Sequence, residues 1–373
     1  MPVFLVLFLI VDLLSFAYPF VAYYLYRQWD KYHDTFNNHD YAQRCLYGAI
    51  ALLVFMLLGK FIIKALLSKS RKGEDEPHMF EADKSDTIKR PDGSVINIEY
   101  YGREDGQPII FVHGWNANIK NWYYQRKYFE KNYRLIMMDL AGLGKSTRPS
   151  NKDFSLPKMA ADLQAVITHT GAKNPILWGH SMGGMTILTF LAKKKDIGHT
   201  QIKGVILEHT TYTNPLHTIL FRRLMTAIQK PVLTPLCYVL IFLSPLFWLS
   251  RWMSYFNGNA HIMARWLTFA GTQTAKQLDF STLLSTMAPP AVMARGCLGM
   301  FRYVVTNDLP SIKVPTLILA ANKDRLTRPD ASVYMQDHIP NAEMVTLAPG
   351  NHQSLIERHK EANAAAKRFI ENL

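Results

Sequence analysis

In this 373-residue chain one serine, one aspartate and one histidine fall where chemistry needs them. Ser181 lies in "LWGHSMGGMT", residues 177–186, with Gly179 and Gly183 as its second neighbours. The run before it, "PILWGH", is strand-like, and "MGGMTILTFL" after it has a helical pattern. So sharp a strand-to-helix turn forces its central residue into a strained backbone, and the residues two away must carry no bulk. The helix start behind the serine aims amide N–H groups at an anion forming beside Oγ. The spacing therefore presents a nucleophile. A serine hydroxyl needs a base to take its proton, and the base needs a third group to hold it. Asp324, in "LAANKDRLT", follows the strand-like run "PTLILAA". His352, in "LAPGNHQSL", sits between the last strand-like run and the last helical one. Both are expected in loops at the carboxyl edge of a sheet. The oxyanion of an acyl transfer needs donors, and the backbone N–H groups of Met182 and Trp115 are the expected pair. His113 is read as structural, shaping the loop that carries Trp115. Glu208, which ends the run "IKGVILE", is the rival to Asp324 as partner of the histidine.

These residues need a scaffold. Apolar β-type runs ("PIIFVHGW", "YRLIMMDL", "PILWGH", "IKGVILEH", "PTLILAA", "AEMVTLAP") alternate with helical segments at 156–170, 182–195 and 353–373. Buried runs separated by helices predict a mostly parallel sheet covered on both faces. "DTIKRPDGSVINIEYYG" reads as two short strands about a Pro-Asp-Gly turn. In their order "HGW", "DLAGLGKS", "GHSMGG", "NKD" and "GNH" resemble the α/β-hydrolase superfamily over residues 90–208 and 313–373. Within it the chain is most similar to membrane-anchored monoacylglycerol lipases and related serine esterases. The resemblance implies an α/β-hydrolase fold with a helical cap inserted into the core, and catalysis without metal or organic cofactor. Ala141 stands where the family usually has arginine, and Asn351 where glycine is frequent. A serine nucleophile sets the chain apart from the superfamily's epoxide hydrolases and dehalogenases. "GLGKST", residues 142–147, imitates the end of a phosphate-binding loop, but Asp139 stands where that motif requires glycine.

A net charge of +13 and a pI near 9.5 suit nucleic acid or an anionic membrane as partner. Basic clusters interleaved with long apolar runs favour the membrane, and no basic run of the nucleic-acid type occurs. Cys45, Cys237 and Cys297 follow no metal or disulfide spacing and are expected as free thiols. Residues 4–26 carry one charge, Asp12, and are long enough to span a bilayer core of roughly 30 Å. They lack the basic start and cleavage site of a signal peptide. Tyr23, Tyr24 and Tyr26 suit an interfacial belt, and Asp12 must be protonated or paired. A second run, 45–67, is interrupted by Lys60 and Lys64, whose stems are expected to snorkel. A polar stretch joins the two, so a transmembrane hairpin is predicted. Lys60, Lys64, Lys69, Arg71 and Lys72 outnumber the loop's Arg27, Lys31 and Arg44, which places the catalytic body in the cytoplasm.

The chain then divides into a membrane anchor (1–68), a charged linker (69–90), a first hydrolase core segment (91–208), a hydrophobic basic cap (209–312) and a second core segment (313–373). Between Glu208 and Asp279 there is no acidic residue, while Arg222, Arg223, Lys230, Arg251, Arg265 and Lys276 are basic. Residues 231–250 are uncharged and long enough to suggest a span. A single crossing there would separate Asp324 and His352 from Ser181 across the bilayer. The stretch must therefore fold back, lie in the interface or pack as a helix pair, and Pro231, Pro235 and Pro245 favour a broken element. The cap is expected to dip its apolar surface into the membrane. The function expected is a membrane-anchored serine esterase or lipase acting on lipid-like acyl esters such as monoacylglycerols. An acyltransferase or thioesterase would use the same residues, and a non-catalytic lipid-binding scaffold is the reading from another class.

Overall fold

The computed structural model describes residues 2–68, 73–193 and 201–373. Lys69, Arg71, Lys72, the predicted helix end at 194–195 and the side chain of Asp12 lie outside the described residues. One eight-stranded sheet organises the body, in the order β1-β2-β4-β3-β5-β6-β7-β8. Its strands are β1 (Lys84–Lys89), β2 (Val95–Gly102), β3 (Pro108–Val112), β4 (Arg134–Met138), β5 (Ile176–His180), β6 (Gly204–Glu208), β7 (Thr316–Ala321) and β8 (Ala342–Leu347). β1 and β2 pair antiparallel, β2 meets β4 antiparallel, and every pairing from β4 to β8 is parallel. β1 is the first of the two strands read about the Pro-Asp-Gly turn, and it lies inside the stretch bounded as linker, so the sheet begins before residue 90.

Strand periodicity puts alternate residues on opposite faces. Ile110, Val112, Ile136, Met138 and Leu177 build one core layer, and Ile109, Phe111, Leu135, Met137 and Trp178 the other. With both faces covered, β5, β6 and β7 are buried along their whole length. The covering helices include α3 (Tyr123–Phe129), α4 (Leu156–Thr170), α5 (Met182–Lys193), α12 (Pro329–His338), α13 (Ser354–Glu357) and α14 (His359–Glu371). Ser155 caps α4 through its side chain, and Gly171 ends it in a left-handed turn at φ 59°. The predicted terminal helix is broken at Arg358, next to Glu357, whose carboxylate accepts the Ala270, Gly271 and Thr272 amides at 2.7, 2.8 and 2.6 Å.

The N-terminal hairpin consists of α1 (Pro2–Tyr32) and α2 (His39–Leu67), joined by a short turn. Among the described residues two helices are long and apolar enough to cross a membrane, His39–Leu67 and Arg222–Phe242. The second belongs to the cap. There α6 (Arg222–Ile228) runs through a π-helical turn into α7 (Thr234–Phe242), followed by α8 (Ser244–Asn257), α9 (Asn259–Thr268), α10 (Ala275–Met287) and α11 (Pro290–Met300). The uncharged 231–250 stretch is thus broken at Leu243, one residue before α8 begins. Leu233, Cys237 and Leu240 point into the core, while Tyr238, Val239, Phe242, Leu246 and Leu249 are exposed. All three cysteines are buried and free.

Lys60 and Lys64 do not reach for solvent as the sequence suggested. Cap helices pack on the hairpin, so Lys64 Nζ donates to Asp279 Oδ2 at 3.1 Å, and Lys60 Nζ lies 4.2 Å over the Tyr255 ring. An aromatic face and a carboxylate give those ammonium groups partners inside the protein.

Candidate active site

Ser181 occupies the tip between β5 and α5 with φ 52°, a left-handed conformation that is strained for serine. Its amide donates to Glu208 O at 2.9 Å, and its carbonyl accepts Thr210 Oγ1 at 2.6 Å. The flanking glycines answer a close approach. A Cβ on Gly183 would run into the Val112 carbonyl, and one on Gly179 would lie 2.6 Å from Gly183 C.

His352, in the loop after β8, brings Nε2 to 3.0 Å from Ser181 Oγ. Its Nδ1 lies 2.9 Å from Asp324 Oδ2. A carboxylate accepts only, so Nδ1 carries the proton and Nε2 is left to accept from the serine hydroxyl. Asp324, in the loop after β7, is fixed in turn: Oδ1 accepts the Leu326 and Thr327 amides at 2.8 and 2.9 Å, and Oδ2 accepts Thr327 Oγ1 at 2.9 Å. Burial works to raise the Asp324 carboxyl, but the charge and hydrogen bond of His352 and the Thr327 amide outweigh it and hold the group below its usual range. Ser181, Asp324 and His352 are all buried, at 2, 4 and 4% exposure. The structure brings the three sequence-predicted residues into one hydrogen-bonded line.

Glu208 takes no part in that line. It is buried at the end of β6, and its Oε2 accepts Trp178 Nε1–H at 2.9 Å. Oε1 has no hydrogen-bond partner among the described residues, and His209 Nε2 stands 3.8 Å from it. Burial pushes this carboxyl up to about 8, against the pull of the Trp178 bond, so at neutral pH it is an uncharged acid. His209, next to it, is pushed down to about 3 by burial, with the Asp324 charge opposing and His352 assisting. Burial, then the nearby His352 and His209, drive His180 well below the usual imidazole range. Two neutral imidazoles therefore flank His352 and add no positive charge beside it.

Three residues that support the line were given no role from sequence. Asn351 Oδ1 accepts the His352 amide at 2.8 Å and the Arg325 amide at 3.3 Å, while its Nδ2 donates to Phe269 O at 3.2 Å. The departure from the family's frequent glycine thus ties the histidine loop to the aspartate loop and the cap. His180 Nε2 lies 3.0 Å from His352 O, and Thr327 braces Asp324. Asn351 alone left a sequence signal, as an unusual residue beside the histidine.

The loop after β3 passes directly over Ser181: a Cβ on Gly114 would lie 2.8 Å from His180 Nδ1 and 3.0 Å from Ser181 Cβ. His113 shapes this loop as a neutral ring. Its Nε2 accepts the Leu140 amide at 3.0 Å, which leaves Nδ1–H to donate to Gly114 O at 2.8 Å; burial depresses its pKa. Trp115 Nε1 donates to Met293 O at 2.8 Å, tying the loop to α11. Met182 is the first residue of α5, where an amide has no acceptor within its helix. Beside the line is a cavity of about 60 Å³, walled by Trp115, Asn121, His352 and the cap residues Leu267, Leu284 and Ser285. A larger cleft of about 570 Å³ beside α4 and α11 touches none of the three residues.

The phosphate-loop lookalike folds around a side chain. Asp139 accepts the Ile119 and Lys145 amides and Asn97 Nδ2, each at 2.9 Å. A carboxylate thus fills the space that a phosphate would need. Among the described residues no group of three or more His, Cys, Asp or Glu is placed to hold a metal ion.

The family model for the alpha/beta hydrolase fold matches residues 107–359. The chain is 25% identical over 284 residues to the AB hydrolase superfamily protein YisY of Bacillus subtilis, covering 76% of this chain and 97% of that one. An esterase from Exiguobacterium antarcticum superposes with a TM-score of 0.61 at 21% identity, covering 76% of this chain and 98% of that one. A bacterial membrane phospholipase A superposes with a TM-score of 0.60 at 18% identity, covering 78% and 86%. Non-heme chloroperoxidases and an epoxide hydrolase are also among the relatives. At these identities the solved neighbours speak for the fold, and the bond that is cleaved has to be argued from the site.

Proposed function

The chain belongs to the alpha/beta hydrolase family, and from that premise we propose a membrane-bound serine hydrolase that cleaves acyl esters of lipid-like substrates, monoacylglycerols among them. The carrying observation is the unbroken line from Asp324 through His352 to Ser181, with hydrogen bonds of 2.9 and 3.0 Å. His352 Nε2 takes the hydroxyl proton as Oγ attacks the ester carbonyl. Asp324 holds the ring by its Nδ1–H and stabilises the charge that the ring gains. The backbone N–H groups of Trp115 and Met182 receive the oxyanion. As the tetrahedral intermediate collapses, the ring returns its proton to the leaving alcohol and the acyl group stays on Oγ. Water, deprotonated by the same ring, then releases the acid.

The membrane half of the reading rests on apolar surface. Leu53, Leu57, Leu58 and Phe61 of α2 are exposed, as are Phe221, Tyr238, Phe242 and Leu249 of the cap. Hydrophobic area on this scale suits burial in lipid, with the hairpin crossing the bilayer, the cap dipping into its cytoplasmic face and the body in the cytoplasm. Acyl transfer to an alcohol, or thioester hydrolysis, would use the same line with another acceptor or leaving group. A scaffold that only binds lipid has no use for a strained serine poised on a base.

The deciding experiment is Ser181→Ala. Turnover of a p-nitrophenyl ester and labelling by a fluorophosphonate should both vanish while the thermal melting profile is kept. Labelling that persists in the variant would move the nucleophile elsewhere. Resistance of the full chain to alkaline carbonate extraction checks membrane integration; release into the supernatant would contradict it.

A further inference from the structure

The cavity beside Ser181 measures about 60 Å³, room for roughly five water-sized groups. A long acyl chain needs somewhere else to go. One wall of this cavity is α9, through Ala264, Leu267 and Thr268. On its opposite face α9 turns Asn259 and Ile262 toward a second space, of about 360 Å³, between the cap and the hairpin. That groove is walled by Leu14, Ala17 and Val21 of α1 and by Leu52 of α2, among others. The side-chain N–H of its one amide, Asn259, is already engaged, donating to Ser15 Oγ at 3.2 Å. What remains is a mostly hydrocarbon groove of about six times the volume of the catalytic cavity, separated from it by a single helix.

Glycines in left-handed conformations stand on either side of that helix. Its ten residues lie between Gly258 (φ 92°) and Gly271 (φ 114°), both in conformations that glycine adopts freely, as the ends of a hinged element often are. Side chains fasten it at several points: Asn259 Nδ2 donates to Ser15 Oγ on α1 at 3.2 Å, Arg325 donates to the Trp266 carbonyl, and His261 Nε2 lies 3.0 Å from Asp279 Oδ1 on α10. The same carboxylate accepts Tyr255 Oη at 3.0 Å and Lys64 Nζ at 3.1 Å. One aspartate therefore joins α8, α9, α10 and the membrane hairpin.

We propose that the groove between the hairpin and α9 receives the acyl tail of the substrate, that α9 swings on its glycine ends to join groove and catalytic cavity, and that the His261–Asp279 contact is the latch. The proposal rests on Ser181 being the residue that accepts the acyl group. It gives the hairpin a role beyond anchoring, as one wall of the substrate site. Bulk lipid would also fill an apolar groove in a bilayer; the substrate is the occupant argued for because α9 is common to both spaces and the catalytic cavity cannot hold a lipid chain.

The test uses the full chain in nanodiscs and a long-chain alkyl fluorophosphonate bearing a diazirine near the end of its tail. After capture on Ser181 and irradiation, peptide mapping is expected to find the tail on α1, α2 or Ile262. Capture with the tail on α7 or α11 would overturn the groove alone; failure to capture Ser181 would overturn the serine reading and the groove with it. Two variants give a second readout. Ala17→Trp, which narrows the groove, is expected to lower kcat/KM for a long-chain monoacylglycerol about tenfold while leaving an acetyl ester within about twofold. His261→Leu, which removes the fastening of α9 to α10, is expected to raise the long-chain to acetyl ratio by about threefold. An equal change on both esters, or none, would overturn the proposal.

Discussion

Replacing Glu208 with glutamine asks which carboxylate serves His352, and the structure sets the size of the answer. The Glu208 side chain is fully buried and its pKa rises from 4.5 to about 8. The folded state keeps a proton that the unfolded chain loses, so stability is fully present below 4.5 and is lost as pH climbs toward 8. Each pH unit inside that window costs about 1.4 kcal/mol. Going from pH 5 to 8.5 therefore costs the wild type about 4 kcal/mol. Glutamine does not titrate and still accepts the Trp178 N–H. The stability difference, variant minus wild type, should grow by the same about 4 kcal/mol over that range. At about 2 °C per kcal/mol, the lower end for larger domains, the gap in melting temperature widens by roughly 8 °C. Scanning fluorimetry of both proteins in one nonionic detergent reads it, because the other titrating groups cancel in the difference. Ester hydrolysis should stay within about threefold of wild type, since the Glu208 side chain touches neither the serine nor the base and its backbone bond to the Ser181 amide is kept in the variant. A gap that stays flat with pH would mean that Glu208 is ionised when folded, and would refute its reading as a buried neutral acid that stands apart from the Asp324–His352 pair.

Other consequences follow from the same contacts. Asp324→Asn leaves a side chain of the same shape that no longer holds His352 in the productive tautomer, and kcat should fall by about 10³–10⁴ in stopped-flow ester hydrolysis; a loss under tenfold would point to another acid. The Asp324 carboxyl is held below its usual range, so its stabilising contribution is present above the unfolded carboxyl value and lost as pH falls through the folded one. Asp324→Asn should accordingly narrow the acid-induced drop in melting temperature, and an unchanged acid limb would contradict that. Gly183→Ala drives a methyl group into the Val112 carbonyl and should remove fluorophosphonate labelling, read by in-gel fluorescence, or prevent accumulation of folded protein; near-normal labelling would show that the turn tolerates bulk.

Much of the site was legible because its signals are local. Ser181 announces itself through glycines two residues away, a spacing dictated by the approach of Val112 and by the strand-to-helix turn. Asp324 and His352 could be found because each follows a short apolar run that has to be a strand. The choice between Asp324 and Glu208 is different in kind. Both end strands, and only the direction of the side chains in space, one toward His352 and one toward Trp178, separates them. The same holds for Lys60 and Lys64, whose partners Tyr255 and Asp279 lie some 200 residues away in the sequence. β1 was legible through the Pro-Asp-Gly turn that follows it, but with five of its six residues exposed it carried no apolar run that would have drawn the linker boundary back before it. Asn351 was visible only as an oddity; its bonds to Arg325, His352 and Phe269 come from three elements that meet in the fold.

The proposed chemistry stands or falls on a covalent bond. Rapid acid quench of the full-length protein with a slowly deacylating p-nitrophenyl ester, followed by peptide mass spectrometry, should place the acyl mass on Ser181, and Asp324→Asn should slow its formation. An acyl group on any other residue, or product release with no acylated peptide at any time point, would contradict it.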